Sequence, residues 1–367
     1  MRGAKVLGAK VLGARVLGTR VLGALVLCAI AVTLSAQEKP AGQGFSFRST
    51  TDLINVTVTV TDANGRFVSG LTREDFVVYE DGKPQAVQQF DSDRVPVSLG
   101  IALDTSGSMA GEKIKSAEAA LNRFLFDLLG KKDQVFLYRF DSRPELIQGW
   151  TSDRSAVSRA LGTIRPAGGT AMFDTVLEAV PLTQRGTERK KALIVISDGD
   201  DTSSHVTARE VQQRIRESEV LVYAIAIDPT ATPMRGSSSS TAAPPTPPAS
   251  KPVPSPFPGR KPAPSSTPSS PATPTTNAWT PRATSNSAGT NALRLLTDDS
   301  GGRTEIIQSH LDLDPATAGI ADELSRQYFL GYISAVPKDG RWHTIDVQIR
   351  KGNGTYRVRA RTGFVAG

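Results

Sequence analysis

The chain has one cysteine and three histidines in 367 residues, and only 6% of its side chains are aromatic. Cys28 lies inside an apolar run near the N-terminus, so a mature chain without that run has no disulfide, no thiolate metal site and no cysteine nucleophile. Its stability must then come from packing alone. Trp150, Trp279 and Trp342 are not interleaved with basic residues, as a base-stacking surface would require. Acids are missing from two long segments, and this changes the meaning of the formal charge of +7. Residues 1–36 carry Arg2, Lys5, Lys10, Arg15 and Arg20, which leaves 7 − 5 = +2 for the rest. Residues 229–290 carry Arg235, Lys251, Arg260, Lys261 and Arg282, which leaves 2 − 5 = −3 for the globular part. A basic groove for phosphates is therefore not expected, and no nucleic-acid partner is predicted.

Long hydrophobic runs are also missing. The uncharged stretch Val21 to Leu34 is shorter than the roughly 20 residues that span a bilayer. Preceded by spaced basic residues and followed by Ser35-Ala36, it reads as a secretory signal peptide over 1–36, cleaved after Ala36. Leu27 stands before Cys28 where a lipoprotein signal needs a small residue, which argues against lipidation. The expected product is secreted or periplasmic, in the cell envelope, with no stable membrane insertion after cleavage.

Beyond a linker over 37–46, Val56, Val58 and Val60 alternate with threonines, which predicts a half-buried strand. Phe76 to Glu80 predicts another, Asp81-Gly82 a tight turn, and Gln85 to Phe90 a returning strand. This small all-β unit, 47–94, is too short for a core of its own. From 95 to 333 strands and helices alternate, which predicts a doubly wound, mostly parallel α/β sheet ending with a helix from Pro315 to Arg326 and a strand from Gln327 to Tyr332. The segment 229–290 interrupts it with 16 of the 24 prolines among Ser, Thr and Ala, so it is predicted to be disordered. The final stretch, 334–367, contains two strands, Thr344 to Ile349 and Thr355 to Arg361. These are predicted to form a hairpin that completes the N-terminal β unit as a sandwich-like body.

The chemistry concentrates at Asp104-Thr105-Ser106-Gly107-Ser108, between the apolar run Val97 to Leu103 and an amphipathic stripe of Ile114, Ala117, Leu121, Phe124, Leu125 and Leu128. A loop from the carboxyl end of a buried strand to a helix is where ligands bind in open α/β sheets. One carboxylate and two alternating hydroxyls form an all-oxygen set suited to a hard cation. Gly168-Gly169-Thr170 adds a hydroxyl and Ser197-Asp198-Gly199 a second carboxylate. Asp200 and Asp201 are read as caps for the helix near Thr207. His205, His310 and His343 fall at no clear strand end and read as surface residues, so Ser106 lacks the adjacent base that a serine nucleophile requires.

These five residues resemble the metal-ion-dependent adhesion site of von Willebrand factor type A domains, which uses Asp-x-Ser-x-Ser, a distant Thr and a distant Asp. The resemblance covers roughly 95–333. The segments Asp75 to Gly82 and Ser325 to Tyr332 are similar to a secreted variant abundant in Acidobacteria. What the resemblance implies is a non-enzymatic module in which Asp104, Ser106, Ser108, Thr170 and Asp198 hold Mg²⁺, with Mn²⁺ or Ca²⁺ as alternatives. Asp198 would act through a water, and the Asp or Glu of a protein partner would take the open position. The alternatives are a metal-dependent hydrolase and a metal-independent structural component of the envelope.

Overall fold

A computed structural model of the chain describes residues 52–233, 283–284, 287–350 and 355–367. The leader, the linker and the interior of the Pro-rich segment lie outside the described residues. The first strand, β1 (Asp52–Thr61), buries Ile54, Val56, Val58 and Val60 at every second position, as its alternation predicts. β2 (Phe76–Glu80) turns through Asp81 and Gly82, with φ of 48° and 74°, into β3 (Lys83–Gln85). Both turn residues sit in the left-handed region that a two-residue hairpin demands. The predicted return strand then splits at Ala86, and β4 (Val87–Asp91) leaves for another sheet.

The α/β unit follows. β5 (Val97–Asp104) is buried at all eight positions, as a central parallel strand covered on both faces should be. α1 (Glu112–Arg123) carries the predicted stripe and ends in a π-helical turn, Phe124–Leu128. β6 (Gln134–Phe140), β7 (Pro144–Thr151), α2 (Arg154–Leu161), α3 (Met172–Gln184), β8 (Lys190–Ser197), α4 (Ala208–Arg216) and β9 (Leu221–Ile227) come next. A two-residue ladder of β10 (Thr232–Pro233) with β11 (Ala283–Thr284) forms inside the Pro-rich stretch 229–290, which corrects the expectation of disorder at its ends. α5 (Ala288–Thr297), β12 (Thr304–Ile307) and α6 (Leu313–Arg326) complete the unit. The sheet order is β12-β9-β8-β5-β6-β7, parallel except for β7. Leu99, Ile101 and Leu103 face α1, α2 and α6 on one side, whereas Ala102, Phe136, Leu193 and Val195 face α3, α4 and α5 on the other. A doubly wound sheet is thus present as expected. The edge strand β7 is not legible in the sequence, because Pro-Glu-Leu-Ile-Gln-Gly-Trp-Thr has no regular alternation.

Three C-terminal strands and one more close a sandwich around Val56, Val58, Phe76, Val78, Leu330, Tyr332, Ile345, Val347 and Phe364. β13 (Tyr328–Ser334), β14 (Trp342–Ile349), β15 (Arg357–Arg359) and β16 (Gly363–Val365) build the sheets β15-β1-β13-β4 and β16-β14-β2-β3. Two expectations are corrected here. The strand predicted at the end of the α/β unit, 327–332, is β13, a central strand of the sandwich between β1 and β4. It reads as a doubly covered strand because Tyr328, Leu330 and Tyr332 enter the sandwich core, while Phe329 on the other face lies under the guanidinium of Arg189 at 4.3 Å. The predicted C-terminal hairpin does not form either: β14 pairs with β2 and β16, and β15 pairs with β1. Burial explains the split, since each strand completes the apolar face of a different sheet. Among the described residues no helix is long and apolar enough to cross a membrane.

Candidate metal centre

Asp104 ends β5 and Ser197 ends β8, its parallel neighbour, so the register of Leu103 with Ile196 brings the two side chains together at the carboxyl edge of the sheet. Ser197 Oγ donates to Asp104 Oδ2 at 2.6 Å, and the backbone N–H of Ser106 donates to Asp104 Oδ1 at 2.8 Å. The Asp104 side chain is fully buried, and burial, with a smaller contribution from the charge of Asp198, raises its pKa above the ordinary carboxyl value. A bound cation would offset that cost.

A hydrogen-bonded chain runs on from this pair. Ser106 Oγ lies 2.9 Å from Ser108 Oγ, and Ser108 Oγ donates to Asp198 Oδ1 at 2.8 Å. Because the single Ser108 proton goes to Asp198, Ser106 is the donor to Ser108. The second oxygen of Asp198 is paired with the ammonium of Lys113, at the start of α1. Asp104, Ser106, Ser108 and Asp198 are thus drawn together. Thr170, which is 5% exposed, lies outside that chain, but its loop is strapped to the Asp104 loop. Gly107 N–H donates to the Gly168 carbonyl at 3.1 Å and Ala167 N–H to the Thr105 carbonyl at 2.9 Å. Gly168 makes this possible at φ 77°, a conformation natural to glycine.

The loop after Asp198 is fastened to the same place. Thr170 N–H donates to Thr202 Oγ1 at 2.9 Å, and the Thr170 carbonyl accepts from the backbone of Thr202 and Ser203. Asp201 accepts from Phe173 N–H at 2.9 Å, so it caps α3 rather than the later helix. The expected capping role of Asp200 and Asp201 near Thr207 is corrected: Thr207 caps α4 itself in a reciprocal box with Glu210. Asp200 instead lines a cleft beside Asp198 with Asp228 and Ser287. His205 is exposed and pairs with Asp174 at 2.9 Å. His343 departs from the surface reading, since it is 9% exposed within β14 and bonded to Asp81 and Asp339.

The donor set is all oxygen, with two carboxylates and three hydroxyls among the five residues. Among the described residues no three His, Cys, Asp or Glu side chains cluster as a metal site. An all-oxygen set suits a hard cation that keeps water or another exchangeable ligand, and it lacks the nitrogen and sulfur donors of zinc-type coordination. Sequence reasoning missed Ser197, Thr202 and Lys113. Ser197 was visible as the neighbour of Asp198; nothing in the spacing of Lys113 announces its reach.

Residues 99–200, which include every one of the five, match the family model for the von Willebrand factor type A domain. The chain carries a von Willebrand factor type A domain. Curated relatives include the inter-alpha-trypsin inhibitor heavy chain H4 of Sus scrofa, 30% identical over 134 residues that cover 34% of this chain and 14% of that protein. The Homo sapiens H4 heavy chain is 29% identical over 136 residues, again 34% and 14%. The chain thus spans about 14% of the length of these relatives. Among solved structures, the von Willebrand factor type A protein from Catenulispora acidiphila aligns with 87% of this chain and 75% of its own, at a TM-score of 0.43 and 13% identity. The corresponding domain of the type V pili tip protein Mfa5 from Porphyromonas gingivalis aligns with 31% of this chain and 43% of its own, at 0.29 and 25%.

Proposed function

We propose that the protein is a secreted, non-enzymatic binding module of the bacterial cell envelope that engages a protein partner through a divalent cation. Asp104, Ser106, Ser108 and Thr170 would hold Mg²⁺ or Mn²⁺, with Asp198 oriented behind them, and an Asp or Glu of the partner would complete the coordination. The observation that carries this reading is the fully buried Asp104 carboxylate, held by Ser197 and opening onto a chain of two serine hydroxyls and a second carboxylate. Two carboxylates balance a divalent ion without saturating it, so a further carboxylate is still attracted. The cation supplies Lewis-acid attraction for that group; the loops supply its fixed position.

Titration calorimetry of the intact protein with Mg²⁺ and Mn²⁺ tests the cation. Binding is expected in the wild type and is lost in Asp104→Ala, and an unchanged isotherm in that variant refutes the site. Pull-down from envelope extracts with and without a chelator tests the partner. Capture that survives both the chelator and Asp198→Ala would favour a metal-independent structural role.

A further inference from the structure

Lys113 occupies a position that helix stability does not explain. It is the second residue of α1, where the unpaired N–H groups of the first turn disfavour a cation. Glu112, the acid of the first turn, pairs with Lys115 and not with Lys113. The Lys113 ammonium reaches forward to Asp198, whose side chain is 1% exposed, while Lys113 itself is 31% exposed. With Ser108 on the other oxygen, the Asp198 carboxylate is satisfied on both sides by the protein. Asp104 has only neutral donors.

With both carboxylates ionised, as cation binding requires, Asp104 and Asp198 contribute −2 and Lys113 contributes +1, a sum of −1. A divalent ion added to the two acids alone would make a neutral site. With Lys113 in place the loaded site is +1, and the ammonium that carries the excess charge is partly exposed, whereas both carboxylates are buried. We propose that Lys113 is a specificity-determining residue of the site: it weakens cation binding and strengthens capture of a carboxylate by the loaded site. This rests on the divalent-cation reading above and adds what makes that site select an acidic partner over a neutral one. One group acts in opposite directions on the two ligands because it repels the cation and attracts the anion. A purely structural lysine would move both affinities the same way, or neither.

The experiment uses the full chain, Mn²⁺ and N-acetylaspartate as a simple carboxylate probe. Mn²⁺ affinity is measured by calorimetry, and probe binding to the Mn²⁺-loaded protein by the relaxation of water protons at the bound ion. In Lys113→Met, which keeps the aliphatic stem and removes the charge, Mn²⁺ is expected to bind about tenfold tighter and the probe about tenfold weaker, the size of a partly screened unit charge nearby. Lys113→Arg restores both values towards wild type, which separates charge from packing. Both affinities unchanged, or both moving in one direction, in Lys113→Met overturns the proposal and leaves the divalent-cation reading standing. A wild-type protein that binds no Mn²⁺ overturns that reading and this one with it.

Discussion

Replacing Glu323 by Gln tests whether the α/β unit and the sandwich are joined through a buried charge. Glu323, on α6, is fully buried and accepts from Thr59 of β1 at 3.1 Å, Tyr223 of β9 at 2.9 Å and Arg303 at 2.7 Å, and it pairs with Arg359 of β15. The guanidinium charges of Arg359 and Arg303 outweigh the burial and lower its pKa from 4.5 to about 2. A difference of 4.5 − 2 = 2.5 pH units, at about 1.4 kcal/mol each, corresponds to about 3 kcal/mol of stability at neutral pH. Removing one member of a buried ion pair costs about 3 to 5 kcal/mol, so two independent routes agree. Because the folded pKa is depressed, this stability is fully present above 4.5 and is lost as pH falls through about 2. Urea unfolding of wild type and Glu323→Gln should therefore differ by about 3 kcal/mol at pH 7, and the gap should close almost entirely at pH 2. A gap below about 1 kcal/mol at neutral pH, or one that persists in acid, refutes the reasoning.

Two further outcomes follow from the sandwich. The hydrogen bond to Asp81 and the charge of Asp339 raise the His343 pKa above 6.5, so the contribution of this group to stability is complete below 6.5 and fades as pH rises through the folded value. An NMR titration should show that elevation in the wild type and a lower value in Asp81→Asn; equal values would contradict it. Deleting residues 335–367 removes β14, the partner of β2, and β15, the partner of β1, so amide protection over 52–91 should collapse in hydrogen exchange. Retained protection of that segment would show that it folds without them.

The Asp104 loop was legible because its signals are local. Val97 to Leu103 is apolar without interruption, the stripe from Ile114 to Leu128 has helical spacing, and Asp104, Ser106 and Ser108 lie between them. The remaining features depend on partners distant in sequence. Asp201 caps a helix that begins before it in the chain, at Met172, and nothing within a few residues of Asp201 says so. β13 looked like a parallel strand since both of its faces are covered, and a run of apolar residues does not say whether a helix or another unit provides the cover. Gly302 gave no signal at all, although a Cβ there would lie 1.9 Å from the Val222 carbonyl oxygen. Close backbone approach is a property of two segments, and only one of them is local.

The interleaving of the sandwich sets an order of events during synthesis. Asp52 pairs with Ser334, 334 − 52 = 282 residues later, and Phe76 pairs with Ile349, 349 − 76 = 273 residues later. The strands made first are thus among the last to find partners, at a high entropic cost of closure that slows folding. Until then β1 and β2 present apolar faces and open edges, which invite pairing with other chains. The α/β unit completes its own sheet from residues 97 to 307 without them. In a nascent chain the loops of Asp104, Thr170 and Asp198 can therefore be in place before the sandwich has closed.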